Sequence, residues 1–157
     1  MKSILKKISL ILPYRLQHFI RYFYAKKLNR LDEEMLYVSK LLQSKRRFLD
    51  IGANDGIYSL HFKRSFDNVE AFEPLKEVTY KLEAIQNESF RVHNIALSDK
   101  KGELEFYIPV SPEGIIAPNL ASLQKRDDDC EIRIVKVNTV DSYGFDDVDL
   151  IKIDVEG

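Results

Sequence analysis

The sequence has one cysteine, no tryptophan and no long apolar run. A single cysteine, Cys130, excludes an internal disulfide and a zinc cluster, and it fits a reducing compartment. No run reaches the roughly 18 apolar residues that a membrane-spanning helix needs. The apolar stretch 4–12 is short and interrupted by lysines, which does not favour a signal peptide. We therefore expect a cytoplasmic protein.

Charge is distributed unevenly along the 157 residues. Residues 1–47 contain 12 Lys/Arg and 3 Asp/Glu, a net charge of +9, whereas residues 48–157 contain 12 Lys/Arg and 22 Asp/Glu, a net charge of −10. This asymmetry predicts two parts with different tasks, a basic extension (1–47) and an acidic domain (48–157). The acidic domain would repel phosphates, so we expect no nucleic-acid partner.

The basic extension has apolar residues at helical spacing, which predicts amphipathic helices interrupted at Pro13. Two interpretations are open. The apolar stripe can pack as a cap on the domain or on a partner protein, or the basic helices can lie on an anionic membrane surface. The second interpretation would place the protein at the membrane as a peripheral contact.

From residue 48 onward, short apolar runs alternate with helical patterns, which predicts a parallel sheet covered by helices on both faces. We expect parallel strands at 48–51, 69–72, 90–96 and 148–155, with helices at 57–66 and 76–86. Alternating patterns at 104–108 and 132–137 predict an antiparallel insertion beside this sheet. The expected fold class is α/β, a Rossmann-like and incomplete parallel sheet with a helical N-terminal extension.

The segment 48–58 contains the most informative pattern, because an apolar strand ends in Asp50 and turns through Gly52 and Gly56 into a helix. Ligands of open α/β sheets bind at such strand ends. A dinucleotide fingerprint would require glycines at 52, 54 and 57, and the chain has Asn54 and Ile57 instead. The competing ligand for such a site is S-adenosylmethionine, and an acidic side chain at Asp50 suits its cationic methionine portion. Glu73, at the end of the second strand, can accept hydrogen bonds from ribose hydroxyls.

Four motifs in this order resemble those of the FkbM family of methyltransferases. They are Asp50–Gly56, Ala71–Pro74, Asn94–Asp99 with Gly102, and Ile151–Gly157, and the resemblance covers residues 48–157. It implies a class I methyltransferase fold, S-adenosylmethionine as the methyl donor and an oxygen acceptor. Tyr58 could pack on the methionine moiety or serve as a core residue. The expected cofactor-binding residues are therefore Asp50, Gly52, Ala53, Asn54, Asp55, Gly56, Tyr58, Glu73, Pro74, Ala96 and Leu97, with Ala96 and Leu97 along the adenine.

Asp154 and Glu156 follow the last strand, where they could orient or deprotonate a hydroxyl acceptor. The alternative is that Asp154 contacts only the cofactor and that Glu156 caps a helix or pairs with a basic residue. Neither residue has histidines or further carboxylates at ligand spacing, so no metal site is expected.

The expected function is methyl transfer from S-adenosylmethionine to a hydroxyl of a sugar, glycolipid or other small molecule. A non-catalytic cofactor-binding fragment or assembly module is an alternative, and an NAD-linked oxidoreductase is disfavoured by the missing glycines. The family fold continues beyond the fourth strand, so we expect the chain to be part of a longer protein. On its own, the 157-residue chain should be unstable and inactive because its last strand would lack neighbours.

Overall fold

The computed structural model describes residues 13–27, 32–111, 121 and 129–155. The predicted helical segment before Pro13, most of the loop after residue 111, and Glu156 lie outside the described residues. The helices are α1 (Tyr14–Lys27), α2 (Glu33–Leu41), α3 (Ile57–Phe62) and α4 (Lys76–Glu83), with a 3₁₀ turn at Val140–Tyr143. The strands are β1 (Arg47–Ile51), β2 (Asn68–Phe72), β3 (Phe90–His93), β4 (Ala96–Leu97), β5 (Gly102–Pro109), β6 (Cys130–Asn138) and β7 (Val148–Ile153).

The main sheet has four parallel strands in the order β3-β2-β1-β7. Strands and crossover helices alternate as the sequence predicts, so the Rossmann-like α/β fold is confirmed. The two crossover helices end earlier than expected, because the backbone turns after Phe62 and Glu83, and β7 ends at Ile153 instead of Val155.

One face of the main sheet packs on helices α3 and α4. Phe48 of β1 contacts Phe62 edge to face, with ring centroids 4.8 Å apart, and Leu82 of α4 is fully buried in the same cluster. The opposite face carries a smaller core with Leu49 and Phe72 against the segment 140–148. Because side chains alternate between the faces of a strand, Asp50 lies on the same face as Phe48.

The insertion forms a separate sheet of three strands, in the order β4-β6-β5. β5 and β6 pair antiparallel as predicted. The prediction of a single strand at 90–96 is wrong in one respect. β3 ends at His93, the amide of Ile95 bonds to the His93 carbonyl at 2.9 Å, and Ala96 pairs with Val137 in the second sheet. A tight turn between His93 and Ile95 therefore divides the predicted strand between two sheets.

The described part of the extension packs on the domain. Met35 of α2 is only 1% exposed, and Tyr22 Oη lies 2.9 Å from Nδ1 of His61 in α3. α1 also contacts α4. The described part of the extension contains the helices α1 and α2, and β1 begins at Arg47, its last residue.

Candidate functional site

The site lies at the carboxyl ends of β1 and β7. β2 and β3 follow β1 on one side of the sheet, whereas β7 pairs with β1 on the other side. The strand order therefore reverses between β1 and β7, and such a switch point opens a crevice where open α/β sheets bind ligands. The two segments bordering it are the glycine turn after Ile51 and the segment beginning with Asp154.

The glycine turn is held by backbone contacts. The amides of Gly52 and Ala53 both donate to the Phe72 carbonyl at 3.0 Å. Gly52 has φ +72°, and a Cβ at this position would collide with the Asp154 carbonyl oxygen. Asn54 also has a positive φ, of +48°, which asparagine tolerates. The glycine at 52 thus allows β1 and the segment after β7 to approach closely.

Gly56 has a different reason for being glycine. It begins α3 with φ +76°, and a Cβ there would overlap the side chain of Leu82 in α4. The second glycine of the motif therefore permits close packing of the two helices. Asp55, between Asn54 and Gly56, is half-buried.

Asp50 is fully buried at the end of β1. Its Oδ2 accepts hydrogen bonds from the Ser59 amide at 2.9 Å and from the Ser59 hydroxyl at 2.6 Å, so it caps the first turn of α3. Burial raises the pKa of Asp50, and the nearby Lys152 ammonium opposes that rise. Within the described residues, Oδ1 accepts no well-aligned hydrogen bond, although Lys152 Nζ lies 3.3 Å away.

Glu73 follows β2 and is 8% exposed. Its Oε2 accepts a hydrogen bond from the Asn54 amide and its Oε1 one from the Leu75 amide, each at 3.1 Å. Burial raises the pKa of Glu73, while these two amides favour the charged form. A carboxylate oxygen has two acceptor sites, so each oxygen keeps one for a further donor.

Lys152 is the site residue whose role the sequence analysis missed. Its Nζ donates to the Gly52 carbonyl at 2.7 Å and lies 3.3 Å from Asp50 Oδ1 and 3.7 Å from Asp154 Oδ2. It also lies 5.2 Å from the ring centroid of Tyr58. A charged residue inside an apolar strand was the available signal, and Lys152 stands directly beside Asp50 in the β1–β7 register.

A comparison with protein families identifies the family of this chain. The family model of the methyltransferase FkbM domain matches residues 50–157, more than half of the chain. The chain belongs to the FkbM methyltransferase family. The resemblance seen in the sequence motifs is thereby confirmed. Comparisons with curated proteins and with solved structures gave no significant match.

In this FkbM methyltransferase domain, Asp154 is the most accessible of the described carboxylates at the switch point. Its side chain is 76% exposed, and its amide donates to the Ile51 carbonyl at 3.0 Å, which continues the β1–β7 pairing by one residue. Its carboxylate therefore remains accessible to solvent beside the Lys152 ammonium. The predicted partner residue Glu156 lies outside the described part of the chain.

The Tyr58 hydroxyl is directed towards the extension. Its single proton is donated to Asp32 Oδ2 at 2.7 Å, and Glu34 Oε1 is a second acceptor at 3.1 Å. Burial and these carboxylates raise the pKa of Tyr58 well above its ordinary value. Packing of its ring on a methionine moiety stays a prediction, whereas the contact between α3 and the start of α2 is observed.

The remaining predicted residues lie around the end of β2 and in the second sheet. Pro74 is half-buried beside Glu73. Ala96 is buried in the core of the second sheet, whereas Leu97 packs on the cluster that contains Phe72. The structure thus gathers the glycine turn, Glu73 and Asp154 at one end of the main sheet. It assigns Ala96 and Leu97 to the junction between the two sheets.

The family implies a methyl donor. The residues at the site can be compared with what S-adenosylmethionine requires. Glu73 fits a ribose diol, because both of its oxygens retain an acceptor site next to the glycine turn. Asp50 is fully buried and its carboxylate contacts Ser59 and Lys152, so its observed contacts stabilise the turn. The residues present therefore fit the nucleoside portion of the donor at Glu73.

Proposed function

We propose that this protein transfers a methyl group from S-adenosylmethionine to a hydroxyl oxygen of a sugar, glycolipid or other small molecule. The observation that supports this most is the placement of the buried Glu73 carboxylate and the exposed Asp154 carboxylate at one end of the parallel sheet. One carboxylate is suited to hold a cofactor, and the other is open to an acceptor.

The cofactor-facing residues have a binding role in this proposal. Glu73 would accept hydrogen bonds from the two ribose hydroxyls, and the Gly52–Gly56 turn would form the wall of the crevice. When bound, S-adenosylmethionine supplies a methyl group attached to a positively charged sulfur. Lys152 ties the Gly52 carbonyl to the end of β7, so the two walls keep a fixed separation.

Asp154 would act on the acceptor. Its exposed carboxylate would accept the proton that the acceptor hydroxyl loses, while the methyl group passes to that oxygen and its bond to sulfur breaks, leaving a neutral thioether. Alignment of the acceptor oxygen would contribute much of the remaining rate, since a fixed geometry removes the entropy cost of the encounter. Lys152, at 3.7 Å, limits the orientations of this carboxylate by attraction.

The test is transfer of an isotopically labelled methyl group by the full-length protein to a panel of hydroxyl, amine and thiol acceptors, followed by the Asp154→Asn variant on the acceptor that reacts. We expect label on oxygen and a fall in kcat of about 10²- to 10⁴-fold, because a general base contributes this much. Cofactor affinity should not change. Asp141→Asn removes an exposed carboxylate elsewhere and is the matched control.

Label on nitrogen or sulfur alone would contradict the oxygen acceptor. An unchanged kcat in Asp154→Asn would contradict the role of Asp154 as a base. Cofactor binding without transfer to any acceptor would favour the non-catalytic alternative.

A further inference from the structure

Helix α1 carries a stripe of exposed apolar side chains. Leu16, Ile20 and Phe23 are 45%, 43% and 51% exposed, and they follow one another at intervals of four and three residues. At 3.6 residues per turn this spacing places them on one side of the helix. Lys27 comes four residues after Phe23, so the exposed stripe ends in a lysine.

Another side of α1 packs on the domain. Tyr22 bonds to His61 of α3, and α1 contacts both α3 and α4. The helix is therefore held in a defined orientation, with its apolar stripe outward. The described helices of the extension thus contact the domain, while Leu16 and Ile20 of α1 stay exposed on the outer side.

The charge of α1 indicates what that surface meets. The helix contains four basic residues and no acidic residue, and Lys26 and Lys27 are exposed in its last turn. It belongs to a segment of net charge +9, whereas the rest of the chain has −10. Two copies of α1 facing each other would repel, so a dimer formed by α1 against α1 is disfavoured. An anionic surface is attracted to α1 and repelled by the remaining domain.

We propose that α1 is a docking surface for an anionic lipid membrane, which it contacts peripherally through Leu16, Ile20 and Phe23. A basic amphipathic helix lies in the interface with its apolar face about 5–10 Å into the headgroup region. Lys27 can extend its ammonium to the lipid phosphates while its methylenes stay on the apolar side. None of the described helices is long and apolar enough to cross a membrane. The proposal does not depend on methyl transfer.

The experiment measures binding of the protein, without cofactor, to vesicles of equal parts phosphatidylglycerol and phosphatidylcholine and to vesicles of phosphatidylcholine alone. We expect binding to the anionic vesicles only, and a weaker affinity in about 500 mM salt than in about 50 mM salt, because salt screens surface charges. The variants L16S/I20S and K26Q/K27Q should each weaken binding at least about tenfold, which corresponds to about 1.4 kcal/mol.

Matched controls are available on the same chain. I132S/I134S removes two exposed isoleucines from β6, and K100Q/K101Q removes two adjacent exposed lysines beyond β4. Both control variants should retain the affinity of the unmodified protein. Melting curves of all variants show whether each one folds.

Three results would overturn the proposal. The first is equal binding to neutral and anionic vesicles, and the second is an equal loss in the control variants. The third is a concentration-dependent dimer that L16S/I20S abolishes while no vesicle is bound, which would assign the stripe to a second copy. Each of these results is independent of whether the protein binds S-adenosylmethionine.

Discussion

Replacing Lys152 with methionine isolates the charge that links the two walls of the crevice. The substitution keeps most of the side-chain volume but removes the ammonium 3.3 Å from Asp50 Oδ1 and the hydrogen bond to the Gly52 carbonyl. Asp50 is 0% exposed, and the Lys152 side chain is 15% exposed. The variant therefore leaves a buried carboxylate without its nearest positive charge.

The expected cost is large relative to the stability of a domain. Removing one partner of a buried ion pair costs about 3–5 kcal/mol. Because Lys152 keeps some contact with water, we expect the lower end, about 3 kcal/mol, against a typical total of about 5–15 kcal/mol. Lys136→Met, at an exposed position in β6, is the control and should cost less than about 0.5 kcal/mol.

The pH dependence of Lys152→Met has a definite sign. Burial already raises the pKa of Asp50, and Lys152 opposes that rise, so the variant should raise it further. A carboxyl whose folded pKa exceeds its unfolded pKa binds protons more readily when folded, so this group contributes more to stability as pH falls through the folded pKa. The free energy of unfolding of the variant should therefore approach that of the unmodified protein as pH is lowered from about 7 towards about 4, the pKa of an aspartate in the unfolded chain.

Denaturant unfolding followed by circular dichroism measures these free energies. A second substitution, at Asp50, completes a double-mutant cycle. The double variant D50N/K152M removes both charges and should recover at least half of the loss. A cost no larger than that of Lys136→Met would refute the reasoning. A deficit that stays constant with pH, or no recovery in the double variant, would do the same.

Two further predictions concern the turn and the extension. Gly52→Ala should cost at least about 2 kcal/mol more than Gly144→Ala, because both glycines have a positive φ but only a Cβ at Gly52 meets backbone, and denaturant unfolding compares them. Equal losses of stability in the two variants would show that the close approach of the Asp154 carbonyl does not require glycine at 52. Tyr58→Phe should cost about 1 kcal/mol through its lost bonds to the extension, whereas Tyr107→Phe, whose hydroxyl bonds to Glu105 in its own strand, should cost less. Hydrogen exchange at Met35 should also quicken in Tyr58→Phe alone.

The order of the elements in the main sheet could be predicted because it depends on local patterns. The apolar runs 48–51 and 69–72 are short and bounded by turns, and each is buried in the structure. The division of the run 90–96 could not be predicted in this way. Asn94 is the residue in it that strands disfavour most, and the assignment of Ala96 to the second sheet depends on pairing with Val137, far along the chain.

The site shows the same limit. Motif order identified the glycine turn, Glu73 and Asp154 from the sequence. The partners of Asp50 depend on the register between β1 and β7, which brings Lys152 beside it from about a hundred residues away. The direction of the Tyr58 hydroxyl depends on how the extension packs, and no pattern near Tyr58 contains that information.

Calorimetric titration of the protein with S-adenosylhomocysteine and with NAD tests the central claim most directly. We predict binding of S-adenosylhomocysteine and none of NAD. Glu73→Ala should weaken that binding at least about tenfold, since a hydrogen bond to a charged group contributes about 1.5–3 kcal/mol. Glu88→Ala, at an exposed position, should have no effect, and melting curves identify any variant that is unfolded. Binding of NAD in place of S-adenosylhomocysteine, or an affinity unchanged in a folded Glu73→Ala variant, would contradict the account.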